Sequence, residues 1–397
     1  MKNILFLACG FLFLASNTFA QSKSKQSMSA LIDEQMRFAN EQYKVLAKNV
    51  PANRMPKALK DGKVETSDTK WWCSGFFPGS LLYIYEYTKD ADIKAEAERR
   101  LGILEPEKHY TGNHDLGFMM YCSFGNAYRL FKKPEYKTTI DTAAMSLATR
   151  YRPSIKVIQS WNSSKKFKCP IIIDNMMNLE LLCWVTDNGG DKKFKEIAIT
   201  HANTTMATHF RPDYSSYHVL DYNLETGKLE RKMTHQGYSD ESAWARGQAW
   251  GLYGYITMYR FTKDARYLDL SKKIAAFLLN HPNNTADMVP YWDYNAPNIP
   301  NALRDASAGA IIASALLELG QYSTKKERKK YVATAEKILR SLASDAYRAK
   351  SGENGGFLLM HSVGHLTGNS EIDTPLTYAD YYFLEALKRY KDWYLKK

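Results

Sequence analysis

The chain has 397 residues, 45 % of them hydrophobic and 13 % aromatic, with a formal net charge of +12. This is enough apolar material for a large core, and it excludes a disordered or fibrous chain. Lysines and arginines are spread along amphipathic segments and form no dense basic motif, so the charge favours small anionic partners over nucleic acid.

Met1–Ala20 reads as a secretory signal: Lys2 supplies the charged start, Ile4 to Ala15 the apolar stretch, and Ala20 a small residue before cleavage at Gln21. The apolar run is too short to span a membrane, and Cys9 lies too early to become a lipid-bearing first residue. An exported, periplasmic protein without membrane insertion is expected. Of the remaining cysteines, Cys73, Cys122, Cys169 and Cys183, three sit in apolar helical segments. Their spacing fits no zinc site, and free thiols are favoured.

From Gln21 onward two kinds of helical segment alternate. Segments 26–48, 91–104, 134–151, 190–208, 264–281 and 325–347 are amphipathic, with apolar residues at i, i+3, i+4 spacing. Phe194, Ile197, Ala198, Ala202 and Met206 show the pattern in one of them. Segments 73–88, 114–131, 173–187, 242–262, 303–320 and 378–395 are apolar and aromatic nearly all round, as buried helices are. Six polar and six apolar helices in strict alternation predict one all-α domain over 21–397, an (α/α)6 barrel with one ring inside another. A flat solenoid is the competing layout. Apolar-to-polar links are tight, whereas 49–72, 105–113, 152–172, 209–241, 282–302 and 348–377 are long. In a double ring the long loops gather at one end, around six inner-helix N-termini that suit an anionic ligand. Within 209–241, Tyr217–Asn223, Glu225-Thr-Gly-Lys228 and the polar run that follows can form a small β-hairpin.

The starts of the inner helices carry the candidate chemistry. His114 and Asp115 open the second, Asp174 the third, and Trp244, Arg246 and Trp250 lie on the fourth. Trp72 and Phe76 mark the first, and Tyr378 begins the sixth. Asp174 has two readings: the N-cap of a core helix, or an acid/base whose pKa rises in an apolar pocket. Two carboxylates on neighbouring inner helices among aromatics are the usual equipment for glycosidic chemistry.

Several stretches then make the chain familiar: WCSGFFPGSLLYIYEY at 72–87, HDLGF at 114–118, IDNMMNL at 173–179, Tyr217-His218, QGYSDESAWARGQAWGLYGY at 236–255 and YADYYF at 378–383. In this order they resemble glycoside hydrolase family 88, the unsaturated glucuronyl hydrolases, over nearly the whole mature length. The resemblance implies an (α/α)6 barrel that removes the 4,5-unsaturated uronic acid which polysaccharide lyases leave on their products, by hydrating the double bond. By that resemblance Asp174 is the general acid/base and Asp115 binds ring hydroxyls and stabilises charge. It also implies that His218, Gln236 and Arg246 contact the uronate, while His114, Trp161, Trp250, Trp72, Phe76 and Tyr378 line the pocket. No cofactor or metal is implied. The partner is a small anionic oligosaccharide, and the protein is a monomer or dimer. Burial and the Asp115 charge are expected to raise Asp174 above its usual value of about 3.9, against the helix N-terminus. The alternatives are an unsaturated rhamnogalacturonyl hydrolase, an inverting glucanase on the same barrel, and a non-catalytic sugar binder. Loop 348–377, with Lys350, His361 and His365, is expected to set sulfate tolerance.

Overall fold

A computed structural model describes residues 26–395; the signal segment and Cys9 lie outside them. Its helices are α1 (Met28–Asn49), α2 (Phe76–Thr88), α3 (Ala91–Leu104), α4 (Asn126–Phe131), α5 (Pro134–Ala148), α6 (Leu179–Asp187), α7 (Lys192–Thr208), α8 (Ala245–Thr262), α9 (Ala265–Asn280), α10 (Ala306–Gln321), α11 (Lys325–Leu342) and α12 (Thr377–Tyr390). The even-numbered helices, with the segments leading into α4 and α6, pack each on the next and close from α12 back onto α2. The odd-numbered helices lean on them from outside. This is the expected (α/α)6 barrel. Its two rings differ in burial for the reason the sequence shows: α10 is buried from Ala306 to Gly320, whereas α11 buries only Tyr331, Ala335, Ile338, Leu339 and Leu342. Among the described residues no helix is long and apolar enough to cross a membrane. The four described cysteines are free thiols.

Small strand pairs organise the long loops: β1 (Met55–Lys60) with β2 (Lys63–Ser67), β3 (Tyr151–Arg152) with β4 (Val157–Ile158), and a three-stranded sheet of β5 (Pro170–Ile172), β6 (Val219–Tyr222) and β7 (Leu229–Met233). The hairpin expected within 209–241 is β6–β7, and β5 adds to its other edge. The β1–β2 hairpin was not expected from the sequence. Its turn is Asp61-Gly62, with φ of 50° and 72°, the double positive φ that tight hairpins use.

The second and third inner helices do not begin as regular α-helices. Gly117–Gly125 is π-helical, and Ile173–Met177 is a 3-10 turn. Both occur where backbones touch. A Cβ on Gly117 would sit 2.5 Å from Asn178 Cα, and one on Gly254 2.4 Å from Met176 Cβ. The cap reading of Asp174 is thereby corrected, because Ile172 holds the N-cap place and Asp174 lies inside the turn. The expectation of six open helix ends is also corrected. Asp305 caps α10, accepting from the N–H groups of Ser307 and Ala308, so that terminus already carries its own anion.

Gly117→Ala should force the second and third inner helices apart. We expect a loss of about 2 kcal/mol in chemical denaturation, the usual scale of overpacking. An unchanged midpoint would show that the two backbones can separate freely.

Candidate active site

The β5–β6 register sets the first contact. Ile172 pairs with Val219, and the Ile173 N–H donates to the His218 carbonyl at 3.1 Å. Asp174 and His218 therefore leave the sheet at the same end, with His218 Nε2 3.7 Å from Asp174 Oδ2. His218 Nδ1 accepts from the backbone N–H groups of His235 and Gln236, both at 3.2 Å. That fixes the tautomer: Nε2 holds the proton and turns it toward Asp174. Burial, with the charges of His235 and Arg246, holds His218 well below its usual range, so the ring is neutral. Trp244 stacks against it, centroids 4.3 Å apart.

Asp115 is placed by the turn before the π-helical stretch. Asn113 Oδ1 accepts the Asp115 N–H at 2.9 Å, and the His114 N–H donates to Ser160 O at 2.9 Å. His114 Nε2 lies 3.3 Å from Asp115 Oδ1. From the third inner helix, Asn178 Oδ1 accepts the Phe118 N–H at 3.0 Å, and its side chain also reaches Asp115.

Burial dominates the electrostatics. It raises Asp174 to about 7, against the Arg246 charge, its own backbone N–H and the Trp250 indole. It raises Asp115 to about 8, with the Asp174 charge as second cause and Arg150 and Asn178 opposing. The like-charge effect thus falls on Asp115, whereas the sequence argument had placed it on Asp174. Burial also lowers His114 to about 3, which leaves it neutral.

The remaining expected residues gather here, in different roles. Arg246 is sandwiched between Trp244 at 4.6 Å and Tyr378 at 5.3 Å. Its N–H groups are engaged by Asp305 at 3.0 Å, Val363 O at 2.6 Å and Gly364 O at 2.7 Å. It therefore anchors the loop after residue 360 while its charge acts on Asp174. Gln236 Nε2 donates to the same Gly364 carbonyl at 3.0 Å. Trp72 lies 4.8 Å from Tyr378 and 5.4 Å from Phe118, and Trp250 packs 5.1 Å from Phe118. Trp161 packs with Phe167 at 5.3 Å and with His235 at 5.9 Å. Phe76, like Tyr378 and Trp250, has no exposed surface, and it packs edge-on against Trp72 at 5.8 Å.

Three buried polar atoms of this site, Asp174 Oδ2, His218 Nε2 and Tyr378 Oη, have no hydrogen-bond partner in the protein. Each unmet group of this kind costs about 1–3 kcal/mol, so their concentration marks a surface built for a polar ligand. The sequence argument missed Asn113, which orders the turn. Asn178 is a further functional residue, and its signal is a polar side chain on an otherwise apolar helix. A cavity of about 440 Å3 also exists at the opposite end of the barrel, lined by Glu180, Arg260, Glu385 and Arg389. Those charges pair with one another or with Glu318, and the carboxylate pair is not among its lining.

The model of Glycosyl Hydrolase Family 88 matches residues 47–395. The chain belongs to that family. An unsaturated glucuronyl hydrolase of Formosa agariphila is 42 % identical over 99 % of this chain and 98 % of its own. Among solved structures, an unsaturated glucuronyl hydrolase specific for heparin superposes with a TM-score of 0.88 at 46 % identity, covering 91 % of this chain and 97 % of that one. The enzyme from Streptococcus agalactiae, with one aspartate changed to asparagine and complexed with dGlcA-GalNAc6S, gives a TM-score of 0.80 at 29 % identity over 93 % and 94 %.

A carboxyl whose folded pKa is raised takes up more protons folded than unfolded. Its burial therefore subtracts stability progressively as pH rises from the unfolded value, about 4, to the folded one, about 7 for Asp174. Asp174→Asn should accordingly raise the melting temperature relative to wild type by an amount that grows across that window and levels off above it. A difference that does not vary with pH would contradict the raised pKa.

Proposed function

We propose that this protein removes the 4,5-unsaturated uronic acid from the non-reducing end of lyase-generated oligosaccharides, glycosaminoglycan fragments above all, by hydrating the C4=C5 bond. The observation that carries this reading is the pair of carboxyls, Asp174 buried and Asp115 partly so, raised to about 7 and 8 beside the unpartnered Nε2–H of His218 and hydroxyl of Tyr378. Family membership and the names of the relatives support it.

Below about pH 7 Asp174 holds a proton and gives it to C4 of the sugar. The π electrons of the double bond form the C4–H bond, and positive charge develops at C5, shared with the ring oxygen. Water adds at C5 and returns a proton to the Asp174 carboxylate. The C5 hemiketal opens to a ketone, and the hemiacetal left at C1 then releases the remaining sugar as an alcohol. Asp115, protonated over the same range, donates to a ring hydroxyl without adding a second negative charge to the hollow. His218, with Nε2–H directed inward, and Gln236 fit the role of carboxylate or hydroxyl partners, and Trp72, Trp161 and Tyr378 that of the apolar walls. Arg246 contributes its field and holds the 363–364 loop.

Turnover is read directly as loss of the ultraviolet absorbance of the double bond. Asp174→Asn should lower kcat by at least about a hundredfold, the scale of a lost general acid, and wild-type kcat should fall as pH rises through about 7. An active Asp174→Asn variant, or release of a saturated sugar without absorbance change, would rule the mechanism out.

We further propose that residues 1–20 direct export to the periplasm, on the strength of the charged start, apolar stretch and small residue at Ala20. Terminal sequencing of the cell-fractionated protein should find Gln21 first. Retention of Met1 in the cytoplasmic fraction would overturn this.

A further inference from the structure

Ser160, just after the β3–β4 pair and with no exposed surface, spends its polar atoms on the two segments that carry the aspartates. Its carbonyl accepts the His114 N–H at 2.9 Å, one residue ahead of Asp115. Its own N–H donates to the Pro170 carbonyl at 2.9 Å, and its Oγ accepts the Ile172 N–H at 2.9 Å, two residues ahead of Asp174. The Ile173 N–H points at β6, so the Ile172 N–H points to the opposite edge of β5. A further strand would ordinarily take up that edge. Here one serine does so, with one backbone bond and one side-chain bond.

The stretch around Ser160 is braced from outside the site. The Gln159 N–H donates to Arg150 O at 3.0 Å, and the Gln159 carbonyl accepts from Arg150 Nε at 2.8 Å. The Ile158 N–H donates to His201 Nδ1 of α7 at 2.9 Å, and the Ile158 carbonyl accepts from Asn175 Nδ2, beside Asp174, at 2.7 Å. Arg150, His201 and Asn175 are all buried. On the other side Trp161 forms an antiparallel bridge with Asn113, whose side chain accepts the Asp115 N–H. Residues 158–161 thus form a bar between the two aspartate turns, and Ser160 bonds to both. A carboxyl that must deliver a proton to one carbon while another holds the same ring tolerates little error, since a displacement of about 1 Å can cost about a hundredfold in rate.

We propose that Ser160 is a positioning residue for the hydration reaction: by joining the His114 and Ile172 backbones it fixes the separation of Asp115 and Asp174. Its kinetic consequence rests on the proposed hydrolase activity; its geometric consequence does not. Without the hydroxyl, the buried Ile172 N–H loses its acceptor, β5 comes away from the bar, and repulsion between the carboxylates moves Asp174 outward. The Asp174 charge acts on Asp115 and weakens with distance, so the titration of the pair reports their separation.

The test compares wild type with Ser160→Ala and Ser160→Cys, which lose the hydroxyl, and Ser160→Thr, which keeps it. Ser160→Cys keeps the side-chain volume, so it can fold where Ser160→Ala does not. Ile338→Val, in the buried face of α11, controls for a loss of stability away from the site. Carbon-13 titration of the carboxyls needs no substrate. In the Ala and Cys variants the upper of the two transitions should fall by about half a pH unit, while Ile338→Val and Ser160→Thr titrate as wild type. On an unsaturated disaccharide the Ala and Cys variants should lose about tenfold in kcat, with KM within about threefold, and Ser160→Thr should keep at least about a third of the wild-type rate. A lowered melting temperature with kcat and both transitions unmoved would make Ser160 a residue of the fold alone. Equal loss in Ser160→Thr and Ser160→Ala would assign the effect to volume. Either result overturns the proposal while the hydrolase reading stands. Wild type inactive on every unsaturated disaccharide sinks the hydrolase reading and the kinetic part of this one, and the titration then decides whether Ser160 sets the separation.

Discussion

Asp115 and Asp174 lie close enough for the charge of one to act on the other, and neither ionises readily. Burial raises both carboxyls, and once Asp174 is charged its field raises Asp115 further. The pair therefore titrates as a unit with two apparent steps, and near neutrality at least one proton stays between them. The rest of the site is consistent with that constraint. His114 and His218 are kept neutral by the same burial, so they offer polar contacts without bringing charge. The buried cation acting on Asp174 is Arg246, whose charge is already partnered by Asp305 at 3.0 Å. That pairing leaves Arg246 able to temper the Asp174 shift without abolishing it.

The scaffold maintains this state by close backbone approach and by register. Gly117 lets the second inner helix lie on Asn178, and Gly254 lets the fourth lie on Met176, so the segment bearing Asp174 is clamped from both sides. The β5–β6 pairing delivers Asp174 and His218 from one edge. Buried Asp221 secures the same sheet by accepting the N–H groups of Lys168 and Cys169 at 2.9 Å. Asp380, in the first turn of α12, similarly accepts the N–H groups of Leu358 and Leu359. Buried carboxylates thus tie the long loops to the inner ring, and the loops bring His218, Gln236 and the 363–364 carbonyls to the mouth. Small satellite cores, such as Phe167, Ile172 and Val219 with Trp161 packed on them, keep these loops in place without help from the main barrel core.

Much of this was legible in the sequence because helical burial writes itself as period and composition. The contrast between Lys325–Leu342 and Ala306–Gln321 identifies outer and inner helices without any structure. Links such as Lys89-Asp90 and Lys132-Lys133 were legible for the same reason, although their left-handed caps are lysines instead of glycines. Other features were hidden because they depend on contacts between distant segments. The irregular starts at Gly117 and Ile173 answer steric contacts across the ring. Arg246 reads as a ligand contact, but Asp305 and two loop carbonyls claim it. The β1–β2 hairpin had a local signal in Asp61-Gly62 that its sparse apolar residues obscured, since the strands cover the barrel on one face only.

The central claim is that the two carboxyls are protonated at pH values where ordinary aspartates are charged. Carbon-13 NMR of the aspartate carboxyls, assigned with the Asp115→Asn and Asp174→Asn variants, measures this directly across a pH titration. The account predicts two coupled transitions near pH 7 and 8 in the free enzyme. Both carboxyls ionising near pH 4, as exposed aspartates do, would contradict it.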